Sequence, residues 1–306
     1  MSDLKELAQR LQGVFLPITT PFDAVTGDVA PVSFRDNLRR WVQEPIDGIL
    51  LFGSTGEGAL LDEEEKVRLT AYARELVPSP IVLAVGANTD STRGTIRQVR
   101  RLAAEGAELA LVHPPVYFAP SLTPASILDF YRDVADASPI PILVYHMPKF
   151  THVVIEGGLM GEIARLPNIM GLKDSSGDIR RFAEYTEHCP RGSRLFVGSG
   201  ALLYMALELG AVGGILAIAD LAPAACAEVF RSFREGDTRR AGELQDGLGA
   251  LHREVVVPFG ATGVKTGLDL MGWAGGAPRP PLQPLSGKDR QRVSRALQAA
   301  GLGAAV

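Results

Sequence analysis

The 306-residue sequence has little of several features that mark common protein classes. Its two cysteines, Cys189 and Cys226, lie far apart and match no metal-binding or redox spacing, so both are interpreted as incidental thiols in a reducing compartment. A net charge of −4 provides no basic surface for nucleic acid or an anionic membrane. No apolar stretch reaches membrane-spanning length, and the first ten residues lack the apolar segment of a signal peptide. We therefore expect a cytoplasmic protein that binds neither nucleic acid nor membrane.

Lysine is scarce too, since only six of the 31 Lys and Arg residues are lysines. One of them, Lys173, directly follows the apolar run Ile169–Leu172. An ammonium among apolar neighbours loses affinity for its proton and can become a nucleophile, which a guanidinium cannot. Lys173 is therefore predicted to form an imine with a carbonyl substrate. The competing amines Lys149 and Lys265 are expected to be solvated, one in a loop after a proline and one in a late helical segment.

Short apolar runs alternate with helical patterns through about the first 220 residues. Several runs are almost continuously apolar, as is typical of parallel strands buried on both faces. The first run leads into Thr19–Asp23, which is not the Gly-rich fingerprint of a dinucleotide-binding sheet. The alternation predicts an α/β protein of the TIM (β/α)₈ barrel type. The eight predicted strands are Val14–Ile18, Gly48–Phe52, Ile81–Val85, Ala107–Val112, Ile142–Tyr145, Ile169–Leu172, Leu195–Val197 and Gly213–Ala217.

The helical patterns between the strands include one in which Asp62 and Glu65 have the spacing of a capping box. After about residue 222 only helical patterns remain, interrupted by Pro258–Gly260 and by the loop 275–281. We therefore predict a barrel with a short N-terminal helix over residues 1–221, and a C-terminal helical segment packed on it over residues 222–306. The clearest predicted barrel helices are Asp62–Leu76, Ser91–Ala104 and Thr123–Ala135.

Polar side chains follow several predicted strands, at the rim where the active sites of such barrels lie. Tyr145 ends the fifth strand, beside the strand that leads to Lys173, and can carry a proton during imine formation. The hydroxyl groups of Ser54 and Tyr117 are predicted to extend this proton relay. Nucleophile and proton carrier on neighbouring strands together indicate an active site.

Other residues at the same rim suit the binding of a substrate. The turn Gly53–Gly56 offers the hydroxyl groups of Ser54 and Thr55, together with backbone N–H groups, to a carboxylate. Gly198 follows the seventh strand and lets a substrate approach the backbone closely. Ile215 lies in the eighth strand and is expected to line the pocket if the other residues form an active site at this rim.

Two histidines near strand ends, His113 and His146, leave a metal-dependent lyase as an alternative. Neither has the spacing of a metal-binding motif, and no Asp or Glu is expected at the same strand ends. We therefore predict no metal site, and imine chemistry requires no organic cofactor.

These residues resemble the dihydrodipicolinate synthase/N-acetylneuraminate lyase family, which consists of Schiff-base class I aldolases built on (β/α)₈ barrels. The likeness covers nearly the whole chain and is carried by the segments Leu16–Phe22, Gly53–Glu57, Gly171–Asp178 and Gly210–Ile215.

The resemblance implies a role for each residue at the rim. Lys173 would form the imine and Tyr145 would be the acid–base tyrosine, with Ser54 and Tyr117 completing the relay. The family likeness further implies that Tyr117 is lent to a neighbouring subunit of a homotetramer built as a dimer of dimers. Thr55, with Ser54, would hold the carboxylate of the 2-oxo acid, while Gly198 and Ile215 would line the pocket.

Two departures from the family pattern bear on the substrate. The residue after the tyrosine is usually Asn but is His146 here, which affects hydrogen bonding in the local loop. In dihydrodipicolinate synthases an arginine five residues after that tyrosine helps to bind the second substrate, and Phe150 occupies this position. A phenylalanine cannot make a bidentate charge-assisted contact. The synthase interpretation is therefore weakened. The chain looks closer to the 4-hydroxy-2-oxoglutarate aldolase branch, which also lacks the arginine and in which Ser175 would contact the substrate hydroxyl. This likeness is carried by the segments Ser138–Pro141, Lys173–Asp178 and Ala277–Gln283.

The main prediction is retro-aldol cleavage of a 4-hydroxy-2-oxo acid (4-hydroxy-2-oxoglutarate or a 2-keto-3-deoxy sugar acid) to pyruvate or glyoxylate plus an aldehyde or oxo acid. One alternative is 4-hydroxy-tetrahydrodipicolinate (dihydrodipicolinate) synthase, which condenses pyruvate with aspartate semialdehyde. Another is a dehydratase of a 2-oxo-3-deoxy sugar acid, which uses the same imine but expels water. From a different class, a catalytically silent barrel would bind a 2-oxo acid as a sensor.

Overall fold

The computed structural model describes residues 2–303. Residue 1 of the predicted range 1–221 and residues 304–306 of the predicted range 222–306 lie outside the described residues. Eight parallel strands pair in sequence order, and the eighth pairs with the first to close the barrel. The predicted (β/α)₈ barrel is therefore confirmed. Within the described residues, no helix is both long and apolar enough to cross a membrane.

All eight predicted strands are present, with bounds that differ by up to two residues. The difference that bears most on the site is at the sixth strand, which continues through Lys173 and Asp174 instead of ending before them. Lys173 is thus held by the sheet, where it pairs with Tyr145 of the fifth strand on one side and Phe196 of the seventh on the other. The strands are β1 (Gly13–Leu16), β2 (Gly48–Leu51), β3 (Val82–Gly86), β4 (Leu109–Val112), β5 (Ile142–His146), β6 (Ile169–Asp174), β7 (Arg194–Val197) and β8 (Gly213–Ile215).

The predicted helix starts agree with the capping residues. Asp62 caps the third helix and forms the expected capping box with Glu65, while Ser91 and Thr123 cap the fourth and fifth helices. The helices are α1 (Ser2–Arg10), α2 (Pro31–Trp41), α3 (Glu63–Leu76), α4 (Thr92–Ala104), α5 (Pro124–Ala137), α6 (Pro148–Thr151), α7 (Gly157–Ile163), α8 (Ile179–His188), α9 (Leu203–Glu208), α10 (Pro223–Arg234), α11 (Thr238–Leu270) and α12 (Gly287–Ala299).

The inside of the barrel is a packed core rather than a channel. Phe15 and Phe196 meet edge to face across it, with ring centroids 5.2 Å apart. Leu7 and Leu11, at the N-terminal end of the chain, belong to the same buried cluster, and so does Tyr145 at the opposite end. This packing closes the barrel below Tyr145 and leaves the carboxyl ends of the strands as the open face.

The chain beyond residue 222 is helical, as predicted, and α11 is bent within it. Pro258 lies inside α11, and Gly260 has a left-handed φ of 52° that interrupts the helical backbone. Because proline lacks an N–H donor and glycine tolerates positive φ, these two residues account for the bend. The bend places residues 256–262 over the open face of the barrel. The division of the chain at residue 222 stays a prediction.

Candidate active site

Lys173 is a buried amine at the carboxyl end of β6. It is 4% exposed, and burial lowers the pKa of its ammonium from 10.5 to about 7, against a smaller opposing effect of Asp220. Its Nζ lies 4.7 Å from the centre of the Tyr145 ring. Tyr145 is the residue of β5 that pairs with Lys173 of β6. With a pKa near neutrality, a large fraction of this amine is free to attack a carbonyl carbon.

Tyr145 is a buried phenol beside that amine. Its hydroxyl lies 3.3 Å from the Ser54 hydroxyl, which comes from the turn after β2. Burial raises the pKa of Tyr145, while the nearby hydroxyl groups of Ser54 and Ser175 act in the opposite direction. The phenol is therefore protonated at neutral pH and has two hydroxyl neighbours through which a proton can pass.

The turn that carries Ser54 and Thr55 is fixed from the outside by a buried ion pair. Glu57 adopts a left-handed φ of 53°, and its carboxylate pairs with the Lys265 ammonium and accepts a hydrogen bond from the backbone N–H of Arg279 at 2.8 Å. Lys265 also donates to the carbonyl of Ala277 at 2.8 Å. The expectation that Lys265 is solvated is wrong, because the bend in α11 turns its side chain inward, where only 1% of it is exposed.

A cavity of about 500 Å³ opens above Lys173. Seven of the eight residues singled out from the sequence line it, which places an amine, a phenol and a set of hydroxyl groups around one space. Their individual catalytic roles stay predictions. These seven residues are Ser54, Thr55, Tyr145, Lys173, Ser175, Gly198 and Ile215.

Tyr117 is the residue that does not join them. Its side chain is 77% exposed and stacks edge to face on Phe118, outside the cavity. The backbone N–H groups of Val116 and Tyr117 both donate to Asp90, which holds the loop in place. Within one chain Tyr117 is therefore not part of a relay with Tyr145, because the loop after β4 turns it toward the outside of the barrel.

His146 has a carboxylate neighbour, contrary to the expectation from the sequence. Its Nδ1 lies 2.8 Å from Asp174, because the extension of β6 brings Asp174 into register with His146 on β5. Both side chains are buried. Among the described residues, no group of three or more His, Cys, Asp or Glu side chains is placed to hold a metal ion.

Two further buried groups near the cavity were not found from the sequence. Asp220 lies in the turn after β8, accepts a hydrogen bond from the backbone of Thr19 at 3.1 Å, and acts electrostatically on Lys173. Burial raises the pKa of this carboxyl well above its usual range. His252 of α11 lies 3.4 Å from the Ser199 hydroxyl, and burial lowers its pKa to about 4, so it is neutral at pH 7. His252 lies far along the chain from the strand motifs, whereas Asp220 lies in the short turn after β8, where no motif marks it.

The part of the cavity away from Lys173 is mainly apolar. Phe150 of α6 and residues 256–259 from the bend in α11 line this side, together with Ser199 and the neutral His252. Lys149 also lies on the rim and is exposed to solvent, as expected. Within residues 5–303, the cavity lining includes no arginine.

A buried amine of lowered pKa, a protonated phenol beside it and a (β/α)₈ barrel together define a carbon–carbon lyase of the class I aldolase type, which works through a lysine Schiff base. The model of the dihydrodipicolinate synthetase family matches residues 10–300, and the chain belongs to that family.

Known relatives match the chain over nearly its whole length. A 4-hydroxy-tetrahydrodipicolinate synthase from Phenylobacterium zucineum is 31% identical over 95% of this chain and 98% of its own. The chloride-inhibited dihydrodipicolinate synthase from Acinetobacter baumannii, solved in complex with pyruvate, superposes with a TM-score of 0.90 at 27% identity over 95% of this chain and 99% of its own. A monomeric dihydrodipicolinate synthase variant superposes with a TM-score of 0.91 at 26% identity, over 96% and 98% of the two chains.

Proposed function

We propose that Lys173 forms an imine with a 2-oxo acid of the pyruvate type, and that the protein makes or breaks a carbon–carbon bond at the carbon next to that imine. The observation that carries this proposal is the buried Lys173 amine, with a pKa of about 7, lying 4.7 Å from the Tyr145 ring at the base of an open cavity. The pyruvate bound to the similar Acinetobacter enzyme supports the choice of substrate.

The arrangement supports each step of imine formation. The neutral Lys173 amine attacks the carbonyl carbon, and the Tyr145 hydroxyl gives a proton to the resulting alkoxide. The Tyr145 oxygen then takes a proton from the new nitrogen and passes it to the same hydroxyl group, which leaves as water and yields the protonated imine. Tyr145 regains a proton through Ser54, whose hydroxyl is 3.3 Å away. The hydroxyl groups of Ser54 and Thr55 hold the carboxylate. The protonated imine then accepts electrons at nitrogen, so that the adjacent carbon loses a proton or a bond without a metal or an organic cofactor.

The leading candidate for the complete reaction is the condensation of pyruvate with aspartate semialdehyde. The curated relatives, at about 30% identity over more than nine tenths of the chain, carry the name 4-hydroxy-tetrahydrodipicolinate synthase. They support this synthase reaction better than the retro-aldol cleavage that is the main prediction from the sequence.

Cleavage of a 4-hydroxy-2-oxo acid is the second candidate, and the far side of the cavity favours it. Phe150, which is 54% exposed, lies at this wall instead of a guanidinium. The neutral His252 and the Ser199 hydroxyl suit a substrate hydroxyl or aldehyde oxygen better than a carboxylate. A substrate with a neutral group beyond the reacting bond fits this lining.

Trapping with borohydride tests the shared first step. Incubation with pyruvate and borohydride is expected to add the mass of reduced pyruvate to Lys173, and Lys173→Met should abolish the addition. Lys149→Met serves as the matched control, because this lysine also borders the cavity but is exposed. Absence of the adduct in the unmodified protein would rule out the mechanism, and pyruvate binding without an adduct would indicate a sensor.

Product analysis then separates the reactions. Turnover of pyruvate with aspartate semialdehyde supports the synthase, and pyruvate release from a panel of 4-hydroxy-2-oxo acids supports the cleavage reaction. A semialdehyde formed from a 2-oxo-3-deoxy sugar acid would identify the dehydratase. Rates on all substrates, compared as kcat/KM, decide between the candidates.

We also propose that the protein acts in the cytoplasm as a homotetramer in which Tyr117 reaches the site of a neighbouring copy. The exposed Tyr117–Phe118 pair supports such a contact, because large aromatic side chains are usually covered. A monomeric relative exists, so the assembly needs its own measurement. Sedimentation of the wild type beside Phe118→Ser, together with the activity of Tyr117→Phe, tests the proposal.

A further inference from the structure

A group of buried hydrogen bonds lies directly behind Lys173 and Tyr145. His146 Nδ1 is 2.8 Å from Asp174 and 3.1 Å from the Tyr185 hydroxyl, and the Tyr185 hydroxyl donates to the carbonyl of Ile155 at 2.6 Å. His146 is 1% exposed. Because neighbouring residues of a strand point to opposite faces, Tyr145 and Lys173 face the cavity while His146 and Asp174 face the helix layer, where α8 supplies Tyr185.

The partners of His146 determine where its proton lies. Asp174 offers only acceptor oxygens when ionised, and the Tyr185 hydroxyl hydrogen is used on Ile155, so Nδ1 must carry the hydrogen. Nε2 has no hydrogen-bond partner in the described part of the chain. A buried ring nitrogen without a partner destabilises the fold, so the ring is held through Nδ1 alone.

Asp174 connects this group to the segment that borders the cavity. Its carboxylate accepts from the Ser176 backbone N–H at 3.0 Å and from the Ser176 hydroxyl at 2.9 Å. The backbone carbonyls of His146 and Asp174 accept from Ser175 at 2.8 Å and from Gly198 at 2.6 Å, respectively. Every one of these bonds fixes the backbone on either side of Ser175.

Ser175 in turn has little freedom. Its side chain lies against Gly198, so closely that a Cβ at Gly198 would overlap the hydroxyl. Ser175 and Tyr145 line the same cavity beside Lys173, and the Ser175 hydroxyl acts to lower the pKa of the Tyr145 phenol. A small shift of residues 174–176 would therefore move a hydroxyl that faces the same space as the proton carrier.

We propose that His146 is a positioning residue which, through Asp174 and with Tyr185 behind it, holds the Ser175 hydroxyl against Tyr145 for proton transfer. The proposal rests on the proposed function for the role of Tyr145. It predicts that His146 acts on the reaction only through Ser175.

A double-mutant cycle tests this dependence. His146→Asn is expected to lower kcat roughly tenfold, with less than a twofold change in the KM for pyruvate, because a shift of well under 1 Å at a proton-transfer group is costly. In a Ser175→Ala background the same substitution should have almost no further effect on kcat. His188→Asn, on the exposed end of α8, is the matched control and should keep wild-type kinetics. An equal loss in both backgrounds would overturn the proposal.

A second measurement does not depend on turnover. The NMR signal of ¹³Cζ-labelled Tyr145, assigned from its absence in Tyr145→Phe, reports hydrogen bonding of the phenol. We expect the same shift in His146→Asn as in Ser175→Ala, and an unchanged signal in His146→Asn would refute the positioning role even if the kinetics change. Tyr185→Phe removes only one hydroxyl and should shift the signal in the same direction, which keeps the test valid if His146→Asn does not fold. Failure of the wild type to trap pyruvate would refute the proposed function alone.

Discussion

Lys173→Met is expected to make the protein more stable at neutral pH. The folded protein lowers the pKa of this ammonium from 10.5 to about 7, mainly through burial. Each pKa unit corresponds to about 1.4 kcal/mol, so burying the ammonium form costs the fold about 3–5 kcal/mol at pH 7 and below. Methionine fills a similar volume and has no charge to desolvate.

The sign of the effect follows from the two pKa values. Below pH 7 the amine is protonated in both the folded and unfolded states, and the fold carries the full desolvation penalty. As the pH rises from 7 toward 10.5, the folded state holds the neutral amine while the unfolded state still binds the proton, so the wild type gains stability relative to the variant. The advantage of Lys173→Met should therefore be largest at pH 6–7 and fall steadily by pH 9.

Urea unfolding of both proteins at a fixed protein concentration between pH 6 and pH 9 measures this difference. Other titrating groups are the same in the two proteins and cancel in the comparison. Lys149→Met, an exposed lysine, should show no pH-dependent difference from the wild type. If the advantage of Lys173→Met is independent of pH, or if the wild type is the more stable protein at pH 6, the assignment of a buried amine with a pKa near 7 is refuted.

Three further predictions concern the surroundings of the amine. Lys265→Met should lower the free energy of unfolding by about 3–5 kcal/mol, because it leaves the buried carboxylate of Glu57 unpaired. In urea unfolding, the double variant Lys265→Met/Glu57→Gln should lose less free energy of unfolding than the two single variants lose in sum. Asp220→Asn should lower the pKa of Lys173 further, because the Asp220 carboxylate opposes deprotonation of the ammonium. The rate of imine trapping with cyanoborohydride should then reach half its maximum at a lower pH than in the wild type. An unshifted profile would mean that the Asp220 carboxyl is protonated. Phe150→Arg should raise kcat/KM with aspartate semialdehyde about tenfold or more through a charge-assisted contact. If the ratio of kcat/KM for aspartate semialdehyde to kcat/KM for a neutral aldehyde stays unchanged, this wall does not select the second substrate.

The arrangement of side chains at the base of the cavity could be predicted because strand ends in a barrel converge. Once eight apolar runs are recognised, Lys173, Tyr145 and Ser54 must lie near one another whatever the details of their loops. The same reasoning fails for Tyr117, since its position depends on how the loop after β4 turns. A loop has no such geometric constraint.

The buried polar pairs could not be predicted, because they depend on packing between distant elements. Lys265 was expected to be solvated in a late helical segment, and the bend at Pro258–Gly260 turns it toward Glu57. The contact between His146 and Asp174 requires β6 to extend two residues beyond its apolar run. Burial of a charge leaves no signal in composition when its partner comes from another part of the chain.

The bend in α11 separates the two sides of the cavity along the chain. The amine and the phenol stand on strands of the barrel, whereas residues 256–262, which also line the cavity, belong to no strand. Substitutions in this short segment are therefore expected to change the shape of the cavity without disturbing the strands that carry Lys173 and Tyr145. The two sides of the cavity can in this way diverge independently of each other.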